Sequence, residues 1–250
     1  MPDCRYTHFL ILYAIAITLR AAQPVPVLVE LFTSEGCSSC PPADLLLAKL
    51  EHAQIVPGVT VIALSEHVDY WNHLGWSDPF SSAQMSSRQQ NYATRFHSDG
   101  PYTPQMVVDG STEFVGSDEG RATRAVALAA RHAKMNITVE WITPGVLRVS
   151  VPGSAVAAEV FVAQVYDPDP SQVSRGENSG RRLTHVSVVK WLKRVGGVSR
   201  DRPFDTRLAI PEEPKLPDPR LVVFVQERGQ GRVLAAAEVT MRQSAGIVAR

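Results

Sequence analysis

Val27-Leu-Val-Glu-Leu-Phe-Thr-Ser-Glu-Gly-Cys-Ser-Ser-Cys-Pro-Pro-Ala-Asp44 reads as an apolar strand, a polar turn and the start of a helix. Val27 to Phe32 is an almost unbroken apolar run bounded by Pro26 and by Ser34 and Gly36, which suits a strand buried on both faces of a mostly parallel sheet. Asp44 to Leu50 follows with good helix formers. Cys37 and Cys40, two residues apart, stand at the strand-to-helix junction, where helix N–H groups favour a thiolate. Proline fits the first helical position and disfavours helical dihedrals in the residue before it, so the helix is expected to begin at Pro41, with Cys37 about a turn ahead.

The whole chain has 250 residues, with 25 Lys and Arg against 25 Asp and Glu, so no electrostatic footprint for nucleic acid or anionic membrane is present. Small molecules and proteins are left as partners. Phe9 to Leu19 is an uncharged apolar run between Arg5 and Arg20, too short to span a bilayer comfortably and suited to a secretory signal. Residues 1–22 are therefore expected to direct export, periplasmic or secreted, with membrane contact only if this segment stays uncleaved. Of the 3 cysteines, Cys4 lies in that segment, leaving Cys37 and Cys40. So short a loop does little to constrain an unfolded chain, so a catalytic or exchangeable disulfide, or a thiolate metal site, is the stronger reading.

Further along, Gly58 to Leu64 is a second buried strand, and strand–helix–strand makes a parallel unit with a right-handed crossover. About 66–100 is a polar and aromatic insertion with a helix from about Ser82 to Phe96. Met106 to Val108 is a short strand, Asp109-Gly110 a turn into Thr112 to Val115, and Ser117 to Ala133 a helix. From Asn136 the pattern changes to alternating strands at 137–141, 146–151, 158–165, 207–210, 221–225 and 233–239. The expected organisation is one α/β domain over 23–135 and a mainly β antiparallel sheet or sandwich over 136–250. The basic stretch Arg175 to Arg194 lacks the ending of a phosphate-binding loop and reads as a solvated face.

The Cys-x-x-Cys between strand and helix, with Thr103-Pro104 before a short strand, resembles the thioredoxin fold over about 26–133. Glu30 to Asp44, His67-Val-Asp-Tyr-Trp71, Leu74-Gly-Trp76, Asp78-Pro-Phe80, Tyr102 to Gly110, Gly176-Glu-Asn178 and Leu183-Thr-His185 are similar to the secreted thioredoxin-like family catalogued as Domain of Unknown Function 1223. The resemblance implies a thioredoxin-like α/β domain with a helical insertion. It also implies that Cys37 is the exposed attacking thiolate, that Cys40 resolves, and that a cis Thr103–Pro104 loop guides the partner chain.

The activity expected on that basis is exported thiol–disulfide oxidoreduction on protein or small thiols, with no cofactor. Glu30, an acid inside an apolar strand, must be paired, protonated or functional, and is the candidate proton acceptor beneath Cys40. Trp71 and Trp76 are candidates for the wall of a substrate cleft. Two rivals stand beside this reading: a copper or zinc carrier using Cys37, Cys40 and His67, and a non-catalytic peptide- or envelope-binding module. His73 is expected near the cleft without joining a metal site.

Overall fold

The computed structural model describes residues 23–211 and 216–241; the expected export segment, with Cys4, lies outside the described residues. Strand β1 (Val25–Thr33) enters helix α1 (Pro41–Ala53), and β2 (Val59–His67) returns parallel to β1. As the Pro41-Pro42 pair requires, α1 begins at Pro41, with Cys40 at its N-cap. A single 3₁₀ turn at Asn72–Leu74 and helix α2 (Ala83–Phe96) fill the expected insertion. The Ser82 side chain accepts from Met85 N and caps α2. Then come β3 (Gln105–Val108), β4 (Thr112–Val115) and α3 (Glu119–Ala129), shorter than the helix read from the sequence.

The C-terminal half contributes β5 (Thr138–Thr143), β6 (Val146–Val151), β7 (Ala158–Tyr166), β8 (Ser171–Gln172), β9 (Arg182–Leu183), β10 (Val188–Val198), β11 (Phe204–Ala209), β12 (Arg220–Glu227) and β13 (Val233–Thr240). The result is a mixed α/β fold: an eight-stranded sheet in the order β13-β12-β7-β10-β2-β1-β3-β4, a three-stranded sheet β11-β6-β5, and the small β8–β9 hairpin. The division expected near residue 135 falls between α3 and β5, yet the strands beyond it continue the same sheet. Val188 of β10 pairs with Ser65 of β2, and Ser65 N donates to Ser187 O at 2.8 Å.

Lys190, Lys193 and Arg194, read from the sequence as a solvated face, are exposed, and they lie on β10, a strand that reading did not assign. Register shifts between Val189 and Trp191 and between Arg194 and Gly196 break the two-residue alternation that would have marked it.

Alternation along β1 decides which side chain meets which helix. Val27, Val29 and Leu31 join Leu46, Leu47 and Leu50 of α1 and Val126 of α3 in one apolar cluster. Leu28 faces the other way, packing with Met85 of α2 and with Val165, Val222 and Phe224. A third cluster, built on Leu147, Val149 and Val151 against Val160, Val162, Leu221 and Val223, joins the three-stranded sheet to the C-terminal strands.

Candidate functional site

The chain between β1 and α1 carries the site. Cys37 N donates to Ser34 O at 3.1 Å, Cys40 N to Cys37 O at 3.2 Å, and Ala43 N and Asp44 N to Cys40 O at 2.8 and 3.1 Å. These bonds wind the chain into α1 and hold Cys37 and Cys40 with their Cα atoms 5.4 Å apart, joined as a disulfide. The expectation that Cys37 is the exposed sulfur is corrected: Cys37 and Cys40 are both 0% exposed, while Ser38 and Ser39 between them are open to solvent.

Three of the four expected cleft residues gather around this turn through polar contacts. Trp71 Nε1 donates to Thr103 Oγ1 at 2.8 Å, and a methyl group at Gly36 would come within 3.1 Å of Trp71 Cβ. Trp76 Nε1 donates to Glu35 Oε2 at 2.8 Å. Pro104, the fourth, is buried below, and the Thr103–Pro104 peptide is cis. A methyl group at Gly116 would lie 3.2 Å from both Pro104 Cβ and Ala43 Cβ, which brings the proline loop against the first turn of α1.

Glu30 is not with them. It is 0% exposed, but it shares its strand face with Leu28 and Phe32, away from α1 and the disulfide. Arg88 of α2 reaches Glu30 Oε1 through Nη2 at 2.5 Å and Nε at 2.7 Å, and Tyr92 donates its hydroxyl to Oε2 at 2.6 Å. Gln226 Nε2 donates to the Tyr92 oxygen at 2.8 Å. Glu66 on β2 joins the same face, 3.4 Å from Arg88 Nε. Burial, and then the neighbouring Glu30 charge, push the Glu66 carboxyl well above the usual carboxylate range. Glu30 therefore belongs to a buried structural charge network, because strand alternation sends it to the α2 side.

On the α1 side, a different set of ionisable groups lies near the cysteines. Asp44 follows Cys40 by one helical turn and accepts from Thr33 Oγ1 at 2.8 Å; burial raises its carboxyl, against the opposing pull of His185 and His67. His185 Nε2 is 3.3 Å from Glu35 Oε1, and His185 Nδ1 is 3.9 Å from Asp44 Oδ2. Burial alone would raise Glu35, yet hydrogen bonds from His185, Ser171 and Trp76 hold it below the ordinary value. His67 Nδ1 is 2.7 Å from Asp78 Oδ2, which also accepts from Glu35 N at 2.9 Å. Burial opposes protonation of His67, but Asp78 outweighs it and raises the imidazole, while the same pair lowers Asp78. The His67 and His185 rings meet edge to face with centroids 4.7 Å apart. His73 is exposed.

The sequence gives residues 28–226 a match to the family model described as "Protein of unknown function (DUF1223)". The chain belongs to the DUF1223 family. The X-ray crystal structure of a structural-genomics target protein from Agrobacterium tumefaciens is similar at a TM-score of 0.71 and 23% identity; the alignment covers 90% of this chain and 98% of that one. At that identity the likeness speaks for the fold alone. No curated protein matches the chain.

In this DUF1223 chain the backbone of the cysteine turn is hydrogen-bonded to the turn between β8 and β9, about 140 residues away in sequence. Asn178, 0% exposed, donates through Nδ2 to Glu35 O and Cys37 O, both at 2.9 Å. Ser38 N donates to Glu177 Oε2 at 3.0 Å. Gly176 has φ +75, and a methyl group there would come within 3.1 Å of Trp76 Cβ, so only glycine lets this turn sit so close. Glu35, Asp44, Asp78, Glu177, Asn178 and His185 had no assigned role in the sequence reading. Their local signal was a glycine beside acidic or amide residues, in Glu35-Gly36 and Gly176-Glu-Asn178, and a histidine shortly after an apolar residue in Leu183-Thr-His185.

Proposed function

We propose that the protein is a thiol–disulfide oxidoreductase with a thioredoxin-like core, cycling Cys37 and Cys40 between disulfide and dithiol. The observation that carries this reading is the Cys37–Cys40 disulfide at the N-terminus of α1, whose first turn has Pro104 close to it across Gly116. The parallel β1–α1–β2 unit, followed by α2, antiparallel β3 and β4, and α3, supports the thioredoxin-like part of it.

In the oxidising direction a substrate thiolate attacks Cys37 Sγ. The Cys37–Cys40 bond breaks, a mixed disulfide forms, and Cys40 leaves as a thiolate at the positive end of α1. A second substrate thiolate then attacks the substrate sulfur of the mixed disulfide and releases Cys37, so two electrons pass from substrate to protein. The reducing direction is the reverse. Cys37 is the attacked sulfur in this scheme because the exposed Ser38 and Ser39 follow it, whereas Cys40 is already bound into the first turn of the helix.

Partners on this reading are protein thiols or small thiols in an oxidising compartment, reached by export through the N-terminal segment, because disulfides persist there. A carrier using Cys37, Cys40 and His67 has less support, since the sulfurs are bonded to each other and His67 Nδ1 is engaged by Asp78. A peptide-binding cleft has less too: the indole N–H groups of Trp71 and Trp76 are already donated to Thr103 and Glu35.

The test is trapping. In Cys40→Ser the Cys37 thiolate attacks a substrate disulfide, releases one substrate thiolate and stays joined to the other sulfur, so this variant should accumulate mixed disulfides with disulfide-containing proteins, and Cys37→Ser should not. Equal trapping by the two variants, or none by either, removes the mechanism.

A further inference from the structure

We infer that the turn at the tip of the β8–β9 hairpin, residues 174–180, is a gate over the disulfide, and that Asn178 and Glu177 are the latches that set how often thiols reach Cys37. The inference rests on Cys37–Cys40 being the reacting group. With both sulfurs 0% exposed, exchange in the closed arrangement is sterically blocked, because a thiolate must approach along the S–S axis.

The piece of chain hydrogen-bonded onto the cysteine turn is well defined. Val173 N donates to Arg181 O at 3.0 Å, Gly180 N to Val173 O at 2.9 Å and Arg181 N to Asn178 O at 3.0 Å, so the tip is braced within itself. Arg181 Nη1 donates to Asn178 Oδ1 at 2.8 Å and aims the Asn178 amide at the cysteine turn. Both contacts of that amide are to carbonyls of the turn, Glu35 O and Cys37 O. Glu177 contributes one further bond, from Ser38 N, and is exposed. Tip and cysteine turn thus meet through three hydrogen bonds.

The two ends of the hairpin differ. At its base, Ser171 Oγ donates to Glu35 Oε1, His185 lies against the same oxygen, and Val173 and Leu183 are buried. The tip is held by those three hydrogen bonds and by Gly176 against Trp76, with Ser174, Arg175, Gly176, Ser179 and Gly180 exposed. Positive-φ glycines at Gly176 and Gly180 bracket it, two places where the backbone has freedom to pivot. Opening therefore breaks the three bonds to Ser38, Cys37 and Glu35 while the base stays docked, and water replaces the lost partners. Local openings of this kind cost less than global unfolding when few apolar contacts are lost.

The experiment measures reduction of the oxidised full chain by dithiothreitol at fixed concentration and pH, with free thiols counted by alkylation and mass. Asn178→Ala should speed reduction about tenfold to a hundredfold, the equivalent of two net hydrogen bonds. Glu177→Ala, at an exposed position that leaves the core untouched, should speed it severalfold. In concentrated guanidinium all three chains should react at one rate, because the gate is gone and the cysteines are the same. If Glu177→Ala and Asn178→Ala, both folded, reduce within twofold of the unaltered chain, the gate is overturned; if Asn178→Ala does not fold, Glu177→Ala alone decides. The oxidoreductase reading fails separately. Accelerated reduction without trapping by Cys40→Ser keeps the gate and removes that reading, whereas trapping without acceleration does the reverse.

Discussion

Replacing Arg88 by methionine tests whether the acid in β1 is structural. Glu30 and Glu66 are both 0% exposed and Arg88 is 6% exposed, so this is a fully desolvated charge group. Arg88 makes both short contacts to Glu30 Oε1, donates to Gln226 Oε1 at 3.1 Å, and lies over the rings of Tyr92, Phe161 and Phe224 at 5.2 to 5.8 Å. Methionine keeps much of the stem packing and removes the charge. Breaking a buried pair from one side costs about 3–5 kcal/mol, because the remaining ion is uncompensated. For a chain of this size, each kcal/mol moves the midpoint by about 2–4 °C, so Arg88→Met should melt about 6–20 °C lower. Circular dichroism melts of the oxidised protein measure it. Glu30→Gln combined with Arg88→Met should recover part of the loss, since the unpaired charge is gone. A single variant within 2 °C of the parent, or a double variant no better than the single, would refute the assignment of Glu30 to this network.

Three other outcomes follow from the same geometry. With its carboxyl held well above the ordinary carboxylate range, folded Glu66 keeps a proton that the unfolded chain releases, so its contribution is full below that range and is lost as pH rises through the folded value; Glu66→Gln should flatten the fall in urea-derived stability as pH rises above about 5, and an unchanged slope would count against it. Gly176→Ala forces a side chain into a positive-φ position against Trp76 and should cost about 1–2 kcal/mol in chemical denaturation, with faster disulfide reduction; a neutral variant would mean the turn is not held there. Zinc added to the reduced protein against a chromogenic chelator should show no stoichiometric site that depends on His67, and loss of such a site in His67→Gln would restore the carrier reading.

The strand, the cysteine turn and the helix start at Pro41 were legible because local rules fix them: an apolar run, a polar turn, and proline at the first helical position. The helix at Ala83–Phe96 was equally local, with its serine cap. Which face of β1 carries α1 was not legible, because Leu28, Val29, Leu31 and Phe32 are buried on both sides and give no contrast. Hence Glu30 was assigned beneath Cys40 when alternation sends it to Arg88. The bulges of β10 hid an 11-residue strand behind a run of basic residues. Burial of Cys37 was beyond any local rule, since the turn that carries it is bonded to Glu177 and Asn178, which only tertiary packing brings there.

The central claim is that Cys37–Cys40 is a reversible redox couple, and its equilibrium with glutathione or dithiothreitol buffers of graded potential tests it most directly. The account predicts one two-electron transition, absent in Cys37→Ser and Cys40→Ser, with a midpoint between about −120 and −270 mV, the span of known oxidoreductases. A pair that stays oxidised until potentials below about −300 mV would behave as a structural disulfide and contradict the account.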